Sequence, residues 1–278
     1  MKILSIAFCL LFILVQPGLS VAQNHPSVQE KGVRTPSGVK IDGKATELNN
    51  VFEAYNKKTN IFYTLTNDGE NFYLVIQSTN IGINNKILNC GITFTVNPSG
   101  KKNKTDAMSI TYPEITQSYL TSRRKVSTGL MYGKNDDNGS KNPKKEKELT
   151  SRELDSVTNL RHRSYLAYLK EIGVSGIKEI KSPRISIYND NGIAAKLGID
   201  DRKVLTYELS VPLKYFGLNA SSPKEIAYEI ALNDSSALWG GNAPPPLTIQ
   251  GNPRGLGGMD IRLMDSRMSF WGLYTLMK

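Results

Sequence analysis

The chain has few of the residues on which disulfides, metal sites and many catalytic sites depend. Its 278 residues include only two cysteines, two histidines and two tryptophans. Cys9 lies in the N-terminal apolar run, so a chain that loses this run keeps Cys90 alone and cannot close an internal disulfide. Such a chain must be stabilised by a buried core. Cys90, in the apolar stretch ILNCGITFTV, is predicted to be a buried residue of a strand.

The shortage of histidine argues against several classes of enzyme. His25 lies in a polar N-terminal stretch and His162 is flanked by two arginines, so neither is placed as the imidazole of a nucleophilic triad or dyad. No His and Cys spacing fits zinc, and no phosphate-binding loop is present. A pair among the 25 acidic residues could hydrolyse a glycoside without histidine. We predict no catalytic residue and no metal ligand, with a polysaccharide hydrolase as the least favoured alternative.

Oxygen ligands that calcium prefers occur in two clusters, NDDNG at 135–139 and YNDNG at 188–192. Neither cluster has the spaced acidic residues of an EF-hand loop, and Asn, Asp and Gly in such clusters usually form turns. We therefore predict no cofactor, and a structural calcium ion remains the one alternative that the sequence leaves open.

Apolar runs long enough to span a membrane are also absent, since a span needs about 20 residues. The longest run covers residues 3–15, follows Lys2, and is succeeded by small residues at positions −3 and −1 of a cut before Gln23. This three-part layout predicts a signal peptide at 1–22. We therefore expect an exported protein, extracellular or periplasmic, with no transmembrane segment after cleavage.

The charge balance is strongly basic, with a formal net charge of +10. Basic residues outnumber acidic ones most clearly between Lys101 and Lys147, where they are mixed with Asn, Asp, Gly and Ser, as in solvated loops. An exported protein rarely meets nucleic acid, so we expect no nucleic-acid partner. An anionic component of the cell envelope remains an alternative partner.

Alternation of apolar and polar residues is the strongest pattern in the chain. In residues 61–78 (IFYTLTNDGENFYLVIQS) two alternating runs flank Asp68-Gly69, which favours a tight turn, and this predicts a β-hairpin. Residues 204–213 and 224–234 alternate in the same way, which predicts strands with one face on a core and the other in water. Several short strands favour an all-β fold, an antiparallel β-sandwich, over a parallel α/β fold.

One stretch has helical spacing instead. Thr150 and Glu153 form a capping box, apolar residues recur at helical intervals as far as Ile172, and Gly173 is expected to end the helix. The sequence thus predicts one α-helix inserted into the sandwich.

The predicted organisation is simple. A flexible leader at 23–38 follows the signal peptide, and a single β-sandwich domain occupies 39–278. The helix belongs to a basic insertion at about 115–182. Near the C-terminus, glycines and prolines at 240–258 predict a long loop.

Several stretches resemble the family 9 carbohydrate-binding modules and their DOMON-like relatives. The resemblance covers roughly residues 38–278. It is based on five segments of the sequence: VKIDGKATELNN, TLTNDGENFYLVIQS, VLTYELSVPLKYFGL, YEIALND and FWGLYTL. It implies an antiparallel β-sandwich that binds sugar without covalent chemistry. It also implies that the loop after YEIALND carries a tryptophan that stacks on a sugar ring, a position that Trp239 occupies. The first half of the chain has no tryptophan to supply a second aromatic platform, so the resemblance supports the architecture more than the sugar site.

Trp239 is the leading candidate for ligand binding, because it lies where a predicted strand gives way to the Gly/Pro-rich loop. A flat indole face suits the C–H face of a pyranose, although the same residue could instead anchor the loop in the sandwich edge. Asn233, Asp234 and Asn242 are close in sequence and could bond sugar hydroxyls, and Tyr132 could add an aromatic surface.

These observations together predict an exported, non-catalytic binding domain whose partner is a polysaccharide or another glycan. The alternative is an envelope-associated structural or interaction protein on the same fold, without a sugar site. In that case the basic insertion or the Gly/Pro-rich loop would be the contact. Trp271, in the closing strand, is predicted to belong to the core in both cases.

Overall fold

The computed structural model describes residues 25–49, 51–122, 150, 156, 160, 162–219, 221, 225–236 and 261–278. Within these residues the alternating stretches form eleven strands. Their bounds are β1 Ala54–Asn56, β2 Ile61–Asn67, β3 Asn71–Ser78, β4 Ile92–Asn97, β5 Met108–Tyr112, β6 Glu171–Ser175, β7 Arg184–Ser186, β8 Ala194–Ile199, β9 Leu205–Pro212, β10 Glu225–Leu232 and β11 Met268–Thr275.

The strands are arranged in two sheets in which every neighbouring pair is antiparallel. Sheet A has the order β1-β2-β3-β9-β8, and sheet B has the order β11-β10-β4-β5-β6-β7. The predicted hairpin is present, with Leu65 of β2 opposite Leu74 of β3. The antiparallel β-sandwich predicted from the alternation is therefore confirmed.

The core lies between the two sheets and is rich in aromatic rings. The Tyr63 hydroxyl of sheet A is 2.8 Å from the Tyr228 hydroxyl of sheet B. The rings of Phe72 and Phe94 lie 6.3 Å apart, centroid to centroid, in an edge-to-face arrangement. Such pairs add stabilisation beyond the area they bury, and the hydroxyls of Tyr63 and Tyr228 satisfy each other inside the core.

A helix replaces the first half of one predicted strand. Residues Ile81–Cys90 form α1, whose first turn is capped by the Asn80 side chain, which accepts a bond from the backbone N–H of Ile83. Gly91 follows at φ 77°, a conformation that side chains disfavour. Cys90 is buried as predicted, but it ends a helix rather than lying in a strand. The prediction failed because a short apolar run alone does not distinguish a strand from a buried helix.

The other helical segments are short. Three-residue and four-residue 3₁₀ turns occupy Thr46–Leu48 and Leu213–Phe216, and Ile261–Met264 forms α2. Within the predicted insertion, residues 117–122 and 162–166 are helical.

The predicted end of the inserted helix is wrong. Ile172 and Gly173 belong to strand β6, where Gly173 is paired with Thr111 of β5 and with Arg184 of β7. Pairing with two strands outweighed the local helical spacing. Part of the stretch at 115–182 therefore belongs to sheet B, and Glu153 of the predicted capping box lies outside the described residues.

The predicted leader lies along the open edge of β2, which differs from the expectation of a flexible segment. The Gln29 side-chain amide pairs with both backbone groups of Leu65, at 2.8 Å each. Arg34 then forms a parallel bridge with Asn67. The segment thus supplies hydrogen-bond partners to strand positions that β1 is too short to reach.

The outer face of sheet A is also covered, although alternation predicted that it would face water. Glu208 of β9 is 1% exposed. Its carboxylate accepts bonds from the backbone N–H groups of Asp42, Gly43 and Ala45 at 2.8, 2.5 and 3.1 Å. The IDGKA segment therefore closes this face over a buried acid, which a local period of two cannot reveal.

Candidate functional site

A pocket of about 240 Å³ opens at one end of sheet B. Tyr112 ends β5 and Leu232 ends β10, and both are paired with Ile92, the first residue of β4. The chains that follow β5 and β10 therefore leave the sheet at the same edge, and the pocket lies between them. Most of the residues that line it are polar or charged, and Cys90 and Ile115 are the less polar ones. The full lining is Cys90, Thr111, Glu114, Ile115, Asn233, Asp234, Ser236 and Arg267.

A chain of hydrogen bonds fixes the floor of the pocket. The hydroxyls of Thr93 and Thr111 are 2.8 Å apart, and Thr93 donates to Oδ1 of Asn233 at 3.0 Å. The Asn233 amide nitrogen donates to the carbonyl of Cys90 at 3.2 Å. The orientation of the Asn233 amide is therefore set by the protein before any ligand arrives.

Glu114 lies on the sheet because Gly173 leaves room for it. A Cβ added at Gly173 would be 2.5 Å from Oε2 of Glu114. Burial raises the pKa of the Glu114 carboxyl, the charge of Arg184 opposes this, and the charge of Glu171 adds to it. A carboxyl group with a raised pKa holds its proton to a higher pH and can then donate as well as accept a hydrogen bond.

Asp234 forms the other acidic side of the pocket. Burial alone would raise its pKa, but hydrogen bonds from Ser236 and the charges of Lys86 and Arg267 lower it overall. One of the Ser236 bonds comes from its backbone N–H, at 3.0 Å. The pocket therefore offers an ionised acceptor on one side and a more readily protonated acid on the other.

The arginine in the pocket is held by a buried acid. Both terminal nitrogens of Arg267 bond the carboxylate of Glu229, at 2.7 and 2.8 Å, and Arg267 also donates to Ser269 at 3.1 Å. Glu229 is 2% exposed. Bidentate pairing of this kind fixes the plane of the guanidinium, so Arg267 is a rigid part of the wall.

A buried lysine brings together the two chain segments that flank residues 237–260. Lys86 of α1 is fully buried, and its ammonium donates to the carbonyls of Leu263 and Ser266 at 2.9 and 2.8 Å. The Ser235 hydroxyl bonds the carboxylate of Asp265 at 3.2 Å. The positions before and after residues 237–260 therefore meet beside the pocket.

Two of the five predicted site residues, Asn233 and Asp234, line this pocket. The other three, Trp239, Asn242 and Tyr132, lie outside the described residues. Sequence reasoning missed Thr111, Glu114 and Arg267. Alternation in DAMSITYP could have placed Thr111 on the outer face, but nothing local indicates that Glu114 and Arg267 approach the end of β10.

Trp271 does not belong to the core, which corrects the prediction for this residue. It is partly exposed and lies opposite Glu229 on the outer face of sheet B. Its neighbours Gly272 and Tyr274 point inward, where Gly272 makes room for the ring of Tyr228. The alternation in SFWGLYT contained this information, but the apolar character of tryptophan outweighed it.

Of the two clusters considered for calcium, YNDNG at 188–192 lies in a turn. In YNDNG, the Asn189 amide donates to the carbonyls of Ser186 and Ile193, which makes a turn. The described residues contain no group of three or more His, Cys, Asp or Glu side chains placed to hold a metal ion. The cluster at 135–139 lies outside the described residues.

Neither a family model, nor a curated protein, nor a solved structure matches the chain. The resemblance to the family 9 modules therefore depends on the short sequence motifs alone. Among the residues for which the structure gives positions, no helix has the length and apolar character needed to cross a membrane.

Proposed function

We propose that the protein is an exported binding domain that holds a carbohydrate in the pocket at the end of sheet B. The observation that carries this proposal is the lining itself: amide, hydroxyl, carboxyl and guanidinium groups converge on one cavity. Several are held in place by other protein groups, so little side-chain entropy is lost on binding.

The chemistry of the lining suits a ligand rich in hydroxyl groups. A sugar hydroxyl both donates and accepts, and the pocket offers an acceptor in Asp234, donors in Arg267, and a hydroxyl in Thr111 that can do both. Trp239 follows Ser236 of the lining by three residues in the sequence. We retain Trp239 as the stacking surface and Asn242 and Tyr132 as supporting contacts within this proposal.

A panel of insoluble and soluble polysaccharides tests this proposal by pull-down and calorimetry. Asp234→Asn keeps the shape of the side chain but removes its charge, and Trp239→Ala removes the aromatic face. Each should weaken binding of the retained polysaccharide by at least about tenfold, the loss of one charged hydrogen bond or one stacking contact.

The control is Asp201→Asn, because Asp201 is an exposed aspartate that pairs with Arg163 away from the pocket. It should bind as the wild type does. Failure of every polysaccharide to bind, or wild-type affinity in both pocket variants, contradicts the proposal.

Export is the second part of the proposal and has its own test. Expression of the full chain in a secreting host should give a mature protein whose N-terminus is Gln23, measured by mass spectrometry of the extracellular or periplasmic fraction. An intact N-terminus in the cytoplasmic fraction contradicts this part.

An envelope-associated interaction protein is the second candidate, and a separate surface favours it. Residues 101–106, in the loop from β4 to β5, are all exposed and include Lys101, Lys102 and Lys104. This loop is at the opposite end of β4 from the pocket. Binding to anionic envelope fractions that is lost in a K101E/K102E variant, with no affinity for any glycan, would favour this candidate over the first.

A further inference from the structure

Two glycines make room for the chain segment that carries Glu114 into the pocket. A Cβ added at Gly91, just before β4, would overlap the carbonyl oxygen of Pro113, and one added at Gly173 of β6 would lie 2.5 Å from Oε2 of Glu114. The backbone N–H of Glu114 also donates to the carbonyl of Glu171 at 2.9 Å. The place of the Glu114 carboxyl is therefore set by the surrounding strands.

The charges around Glu114 do not cancel the effect of its burial. Burial raises the pKa of the carboxyl, Arg184 of β7 opposes this, and Glu171 of β6 adds to it. The guanidinium of Arg267 is bonded to Glu229. The other titratable or charged side chains that line the pocket are Cys90, Asp234 and Arg267. Glu114 therefore keeps its proton to a higher pH than an exposed glutamate does.

Two other polar groups of the pocket present acceptors to a ligand. Thr93 donates its proton to Asn233, so the proton between the hydroxyls of Thr93 and Thr111 comes from Thr111. Thr111 can donate to a ligand only if this bond is broken, and otherwise it offers lone pairs. Asp234, whose pKa is lowered, accepts at neutral pH. A protonated Glu114 therefore adds a donor where the floor and the second acid accept.

We propose that Glu114 contacts the ligand as a protonated acid that donates a hydrogen bond while Asp234 accepts one, so that affinity falls when Glu114 loses its proton. This inference rests on the proposed carbohydrate function and adds the residue that makes binding depend on pH. The ring and glycosidic oxygens of a sugar only accept, so they need a donor in the pocket. Loss of the proton also leaves a second negative charge in the same pocket as Asp234.

Binding across a range of pH tests the proposal. The polysaccharide that the protein retains is titrated by calorimetry from about pH 4 to about pH 8, a range that begins near the ordinary glutamate pKa of about 4.3. The affinity of wild type should fall about fivefold, the worth of one hydrogen bond. Glu114→Gln, whose amide donates at every pH, should remove this dependence and bind more tightly than wild type at the upper end of the range. Asp234→Asn should weaken binding throughout and keep the dependence.

The ionisation of Glu114 can be measured without a ligand. Carbon-13 NMR follows the side-chain carboxyls of the labelled protein, and the signal of Glu114 is the one that Glu114→Gln removes. Its midpoint should lie above the ordinary glutamate value of about 4.3, because the carboxyl is partly buried.

Gly173→Ala tests how Glu114 is positioned. The added methyl group should displace the carboxyl, which should weaken binding at acid pH about fivefold and move the midpoint of Glu114 toward the ordinary value. The matched control is Gly69→Ala, because Gly69 lies between β2 and β3 with open space where a Cβ would be. It should match wild type in both measurements, and a Gly173→Ala variant that also matches wild type contradicts the positioning role.

The outcomes separate this inference from the function on which it rests. An ordinary midpoint for Glu114, constant affinity across the pH range, or the same pH dependence in Glu114→Gln overturns the role of Glu114 while carbohydrate binding stands. Absence of binding to every polysaccharide overturns the proposed function and the inference with it.

Discussion

Replacing Arg267 by methionine should destabilise the protein strongly, because it removes the partner of a buried acid. Burial alone would raise the pKa of Glu229, but the bonds from Arg267 and Ser269 and the charges of Arg267 and Lys104 lower it overall. Methionine fills a similar volume, so the change isolates the loss of charge and hydrogen bonds from the loss of packing.

The magnitude follows from how the two groups are buried. Removing one member of a fully buried pair costs about 3–5 kcal/mol. The Arg267 side chain is 30% exposed, whereas that of Glu229 is 2% exposed, so water can relieve part of the penalty and we expect about 3 kcal/mol. A protein of this size loses about 2–4 °C of melting temperature per kcal/mol, which predicts a fall of about 6–12 °C.

Chemical and thermal denaturation measure this cost, and the double variant E229Q/R267M supplies the decisive comparison. Once the charge of Glu229 is removed, most of the loss should be recovered, because no buried ion is left without a partner. The pKa of Glu229 is lowered in wild type, and burial without Arg267 would raise it in Arg267→Met. The advantage of wild type should therefore be largest at neutral pH and should shrink as the pH falls, because Glu229 of the variant binds a proton first and that of wild type only at lower pH. A loss below about 1 kcal/mol, or a double variant as unstable as the single one, would refute the reasoning.

Three further predictions follow from burial. Gly272→Ala should lose about 1–3 kcal/mol, because its methyl group would overlap the Tyr228 ring, whereas Gly69→Ala has open space and should lose little; equal losses would count against this. Burial raises the pKa of Glu208, so the unfolding free energy of wild type relative to Glu208→Gln should fall as pH rises from about 4 to 7, and a constant difference would disprove it. In a chain that starts at Gln23, the buried thiol of Cys90 should react with a bulky thiol reagent only as fast as the protein opens, and rapid labelling of folded protein would contradict its burial.

The parts of the fold that sequence predicted are those that depend on local pattern. The hairpin of β2 and β3 and the strands β9 and β10 follow from alternation and turn residues, and these determine the class of fold. The parts that were missed depend on distant pairing. The end of helix α1 was predicted as a strand, and Ile172 and Gly173 were predicted as the end of a helix, in both cases from local pattern alone. The neighbours of these residues in the folded chain decide their conformation.

The residues of the candidate site also fall into two groups, those whose place follows from local pattern and those whose place depends on distant strand pairing. Asn233 and Asp234 follow an evident strand, so their place at its end could be predicted. Thr111 and Glu114 reach the same place only because β4 lies between β5 and β10. Residues separated by more than a hundred positions meet through that strand order, and no motif in the sequence encodes it.

The buried acids on the outer faces of the two sheets are satisfied in different ways. On sheet A, backbone N–H groups from the IDGKA segment satisfy the buried Glu208, and the chain that supplies them covers the strands. On sheet B, the equivalent buried acid, Glu229, is satisfied by the side chain of Arg267, so no backbone segment is needed to pair with it. Further along the same face Thr93 and Thr111 remain partly exposed, and the pocket of the proposed function lies beside them.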